Sequence, residues 1–154
     1  MLALTMYLFF KFLHVLLAIV AVGFNAAYGV LLARAAREPE HQGHVLRTVK
    51  TLDDRFANPA YALLLVTGLV MVWVGDVDLT QFWLSTAIGL YVLAVVLGIA
   101  VYSPTLRGQI RTLDTEGPNS AAFQTLSKRG TLLGIVLAVD VVIIVFLMVT
   151  KPAL

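Results

Sequence analysis

Residues 131–149 read TLLGIVLAVDVVIIVFLMV, an apolar run with one charge, Asp140, near its middle. A bilayer's hydrocarbon core takes about 20 apolar residues in an α-helix, so this stretch is predicted to cross a membrane. Working outward, three more segments have that character: about residues 6–33, 59–74 and 82–102, with the fourth helix set at 130–150. Backbone groups in lipid must be satisfied within their own segment, so the spans are expected to be helices. The predicted fold is all-α: a polytopic membrane four-helix bundle forming one domain over residues 1–154. Asn58 before Pro59 reads as an N-cap with proline at the first helical position. Ser103-Pro104 reads as the stop of the third helix and Lys151-Pro152 as the stop of the fourth.

The bulk composition agrees. The 154 residues are 60% hydrophobic and 13% charged, against about 25% charged in a soluble domain. Basic residues are too few and too scattered for a nucleic-acid surface; they serve better as topology signals. Nine of the eleven Lys and Arg residues lie between the first and second spans or between the third and fourth. The turn GDVDLTQ at 75–81 has two aspartates and no base. The positive-inside rule therefore predicts basic loops in the cytoplasm and both termini outside, in a bacterial inner membrane. Trp73, Phe82 and Trp83 at the outer turn and Tyr102 at the inner end fit an interfacial aromatic belt. With no base ahead of it and more than a usual signal's length, the first segment is expected to be a retained helix rather than a cleaved leader. The long inner loops contain short amphipathic stretches, so helix extensions or interfacial segments are expected there.

Three ionisable residues sit inside apolar runs: Lys11, His14 and Asp140. A carboxylate at the centre of a membrane helix costs about 2.5–3.5 kcal/mol on insertion scales. In the first helix Tyr7, Lys11, His14, Ala18, Ala21, Asn25 and Tyr28 recur in steps of four and three, which places them on one face. That polar or small face is expected to point into the bundle. At helical rise His14 lies about 12 Å from the outer end of its helix and Asp140 about 15 Å from the outer end of its own. Were the first and fourth helices neighbours, Asp140 would pair with His14 or Lys11.

Lys11, His14, Asn25 and Asp140 thus form a candidate buried polar cluster, open to three readings. One is a structural or accessory protein in which an Asp–Lys/His pair fixes helix register, with Lys11 alternatively snorkelling to the surface. The second is a heme-binding or redox-accessory subunit, with His14 as the metal ligand of a heme b and Met71 at compatible depth as a second axial ligand. The third is a small proton-coupled transporter, although the second and third helices add few titratable groups. His41 and His44 beside Glu38 and Glu40 could hold a metal at the inner face, but a solvated loop is the simpler expectation. Cysteine is absent, which removes disulfides and thiolate chemistry. No phosphate-binding glycine loop, nucleophile elbow or pair of catalytic carboxylates is present. Gly130, Gly134 and Ala138, Ser85 with Gly89, and Ala94 with Gly98 read as helix-packing surfaces, within the chain or in a homodimer. The expected partners are the lipid bilayer, a second copy and a membrane redox protein.

The entry FLHVLLAIVAVG (12–23), the second helix NPAYALLLVTGL (58–69) and the closing LMVTKP (147–152), in this order and spacing, resemble the bacterial integral membrane family catalogued as domain of unknown function 2269, over nearly the whole chain. That resemblance implies topology more than activity. More distantly, the chain is similar to HemJ-type protoporphyrinogen oxidases and CopD-like membrane proteins; the HemJ type resembles it as a small four-helix protein with a histidine in helix one and a lysine-proline near the C-terminus, here Lys151-Pro152. The HemJ likeness implies a heme role for His14. That family's third-helix lysine has no counterpart in the uncharged segment 82–102, so the likeness does not carry over the oxidase activity.

Overall fold

A computed structural model describes residues 2–152. The chain folds into α1 (Leu2–Ala35), α2 (Gln42–Leu52), α3 (Asn58–Val74), α4 (Phe82–Leu97), α5 (Ser103–Glu116) and α6 (Ala121–Thr150). These join into four rods, Ala3–Ala35, Pro39–Val74, Phe82–Glu116 and Ala121–Thr150, each long and apolar enough to cross a membrane. The four-helix, all-α expectation is met, and no strand occurs among the described residues.

The second and third rods correct the expected helix ends. Asn58 is not an N-cap: it has helical backbone angles and continues a helix that begins before it. Ser103-Pro104 does not stop the third helix, which runs on to Glu116. Both prolines are accommodated in the same way. One residue before each X-Pro pair ends a π-turn, Asp53–Ala57 ahead of Asn58-Pro59 and Gly98–Tyr102 ahead of Ser103-Pro104. Proline lacks the N–H for an i→i−4 bond and its ring crowds that carbonyl. The backbone widens instead, with Asn58 N–H donating to the Asp53 carbonyl and Ser103 N–H to that of Gly98. The fourth helix begins at Ala121, ahead of the expected residue 130, and its ends follow sequence rules. Ser120 caps α6 by accepting from Phe123 N–H at 3.2 Å, and Lys151 leaves that helix in the left-handed region at φ 44°.

The rods associate as two antiparallel pairs, α1 with α3 and α4 with α6. At the end that carries the basic loops, α2 packs on α5 and α5 on α6, which ties the pairs together. The buried cluster lies there: Tyr28, Leu46, Val49, Ala57, Leu106 and Phe123. Arg47 and Asp114 bridge α2 and α5 at 2.5 Å; both are exposed, so the bridge is worth under about 1 kcal/mol. Along the apolar spans the pattern inverts. Phe12, Ile19, Leu69, Trp73, Val142 and Phe146 point outward, as a helix facing hydrocarbon requires. The expected face of α1 is the inner one: Ala21 and Tyr28 are buried and Tyr7, His14, Ala18 and Asn25 half-buried, with Lys11 alone exposed.

Candidate functional site

Between the two helix pairs lies a cavity of about 990 Å³. Small residues make the room for it. Gly29 on α1, Ala94 on α4, and Gly134 and Ala138 on α6 line its walls. The small-residue faces read as packing surfaces therefore divide. Gly130 does pack, its missing side chain being filled by the Gln109 amide, which donates to the Leu126 carbonyl at 2.9 Å. Gly134 meets nothing within 4 Å of where a Cβ would stand.

The cavity's polar lining is concentrated toward the basic end. Four of the five tyrosines, Tyr28, Tyr61, Tyr91 and Tyr102, border it. Tyr91 donates its hydroxyl to the Tyr61 carbonyl, and Asn25 donates its amide to the Tyr61 hydroxyl, so α1, α3 and α4 are tied together beside the cavity. Tyr28 is 3% exposed, and its hydroxyl has no partner. The Gln42 carbonyl oxygen, also on the lining, is buried without a partner as well. Asp53 adds a carboxylate from the first π-turn, within electrostatic reach of the Tyr28, Tyr61 and Tyr102 hydroxyls. Among the described residues no Lys, Arg or His side chain lines the cavity.

The residues singled out from sequence fall in three places. Asn25 belongs to the cavity. His14 and Met71 do not; they lie at the α1–α3 contact, farther toward the Gly75–Gln81 turn. The His14 Nδ1 is 3.0 Å from the Thr67 hydroxyl oxygen. That hydroxyl donates to the Leu63 carbonyl at 2.8 Å, an arrangement in which it accepts from His14 Nδ1–H. Gly68 allows this approach: a Cβ there would stand 3.2 Å from the ring. Asp140 is 7% exposed and, among the described residues, has neither a hydrogen bond nor an ion pair. The structure thus does not bring Asp140 together with His14 or Lys11, because α1 packs chiefly on α3 and α6 chiefly on α4.

The heme expectation can be tested for fit. Axial ligands must face one another across a porphyrin. The ring of His14 lies on Gly68 and the ring of Tyr7 on Gly75, so α1 and α3 touch on both sides of Met71. A porphyrin does not fit between His14 and Met71 of one chain. At the basic end His41 and His44 are exposed, with His41 Nδ1 3.5 Å from Glu38 and 3.6 Å from Glu40; among the described residues no group of three acidic or imidazole side chains is arranged for a metal.

Sequence reasoning missed Tyr61, Tyr102, Gln42 and Asp53 as members of one site. A helix start at Pro59 puts Asp53 and Gln42 in a loop, away from the spans. A tyrosine within each of two apolar spans, Tyr61 and Tyr91, is the available signal, since a buried phenol seeks a partner.

With this geometry in hand, the comparisons place the chain. It belongs to the family described as "Predicted integral membrane protein (DUF2269)", which matches residues 8–152. No curated protein and no solved structure matches it, so the HemJ- and CopD-like similarity gains no support from them.

Proposed function

We propose that this integral membrane protein binds a small, largely apolar molecule drawn from the bilayer, held in the cavity between its two helix pairs. The observation that carries the reading is the cavity itself, with apolar walls and, toward the basic end, Asn25, Asp53 and four tyrosines on its lining. Apolar walls with a few convergent polar groups are the usual make-up of a small-molecule site. The proposal places the chain in a bacterial cytoplasmic membrane with the tyrosine end toward the cytoplasm, as the basic loops favour.

The test uses Nile red, a neutral apolar dye, with protein reconstituted in phosphatidylcholine nanodiscs and protein-free discs as baseline. Saturable binding near one dye per chain is expected, reduced at least tenfold by Gly134→Leu, which adds bulk to the cavity wall where a Cβ meets nothing within 4 Å. Signal no greater than the lipid baseline, or binding unaffected by Gly134→Leu in a protein that elutes normally, overturns the reading.

A second reading retains heme at His14. It is supported by the hydrogen bond of His14 Nδ1 with Thr67, because a ligating imidazole commonly commits its other nitrogen to a hydrogen bond. The packing of α1 on α3 requires its second axial ligand to come from another protein chain, such as His14 of a second copy or a membrane redox partner. A stoichiometric Soret band in protein from heme-supplied cells, lost in His14→Ala, supports it; a featureless spectrum from folded protein removes it.

A further inference from the structure

We propose that the ligand of the cavity is an organic cation with an apolar body, its charge held beside Asp53 among Tyr28, Tyr61 and Tyr102. The proposal rests on the reading of the cavity as a ligand site and names the chemistry of its occupant.

Three observations carry it. The first is charge. Asp53 is the one ionisable acid on the lining, and no base lines the cavity to neutralise it. The nearest base, Lys50, is paired with Asp54, one residue on. The Asp53 carboxylate receives only the Asn58 side-chain amide, at 3.3 Å. Lys50 acts on both Asp53 and Asp54, so one base faces two acids, and the half-buried Asp53 carboxylate at the border of a membrane favours a cation and repels an anionic head.

The second is the aromatic surround. Tyrosine faces attract a cation through the ring quadrupole, by up to about 2 kcal/mol or more when water is excluded. Three tyrosines from α1, α3 and the second π-turn converge on the Asp53 side of the cavity. The third is the shape of the rest. Beyond this cluster the walls are Leu65, Val95, Ile135, Val141 and Ile144, surfaces suited to rings or an alkyl body and not to a hydrated inorganic ion.

Isosteric probes of opposite charge separate the terms. Binding of tetraphenylphosphonium, tetraphenylborate and neutral triphenylphosphine oxide is measured to the full-length protein in phosphatidylcholine nanodiscs, with protein-free discs subtracted. The phosphonium is expected to bind at least tenfold more tightly than the borate. Asp53→Asn is expected to weaken the phosphonium about tenfold and leave the oxide unchanged, and Asp53→Glu to restore it. Should Asp53→Asn not fold, Tyr102→Leu replaces it, with the same selective loss expected. Equal binding of all three probes overturns the proposal and leaves the cavity reading standing. Preference for the borate, or no effect of these variants on the phosphonium, does the same. Binding of none of the three overturns both.

Discussion

At the residue scale the most consequential side chains are those whose polar atoms the bundle leaves unanswered. Asp140 is buried in a membrane helix with no partner among the described residues, and replacing a buried ionisable group by an apolar one of similar size is often neutral or stabilising. Asp140→Leu is therefore expected to raise stability by on the order of 1 kcal/mol, read as a higher Tm in detergent. A fall in Tm would show that the carboxylate is answered across an interface with a second copy. His14 is the contrasting case, since its Nδ1–H is satisfied by Thr67. Interhelical hydrogen bonds in membranes average about 0.6 kcal/mol. A His14→Phe/Thr67→Val double-mutant cycle, followed by equilibrium unfolding in mixed micelles, should return a coupling of about that size. A coupling near zero would remove the argument that fixes the imidazole tautomer.

At the element scale the two π-turns matter most. Each sits where an apolar span passes into its extension at the basic end, and each contributes to the cavity: Asp53 from one, Gly98 and Tyr102 from the other. A π-turn accommodates one extra residue, and π-bulges are frequent at functional sites. Restoring the missing N–H lets a regular α-helix form, and absorbing one residue turns the extension by about 100° relative to its span. Pro59→Ala is thus expected to leave helicity by circular dichroism unchanged while Nile red binding falls at least fivefold, because Asp53 is carried off the cavity wall. Undiminished binding would mean that the π-turn is held by packing at the basic end and not by proline. The prolines were plain in the sequence. Their effect was not, because X-Pro reads locally as a helix boundary, and only the packing of α2 on α5 and α1 keeps each helix continuous through it.

At the scale of the whole molecule, the packed cluster and the cavity adjoin, sharing Tyr28, Leu46, Leu106 and Phe123. The well-packed cluster around Val49 and Leu106 lies at the basic end, while the spans stand as two pairs with the cavity between them. Orientation can be read directly, because the chain has no native cysteine. Asp78→Cys, in the exposed turn, is expected to react with an impermeant maleimide from outside intact cells, and Thr115→Cys, on the exposed side of α5, only after permeabilisation. The opposite pattern would invert the topology. The sequence by itself determined the membrane class, the four helices and the inward face of α1, because hydropathy and helical period are properties of consecutive residues. Tertiary structure alone decided that His14 meets Thr67 and not Asp140, that two X-Pro sites become π-turns, and that Tyr28, Tyr61, Tyr91, Tyr102 and Asp53 share one cavity. Those outcomes depend on which helices pair, and in lipid pairing is set by close packing and a few hydrogen bonds between distant residues, which local sequence does not encode.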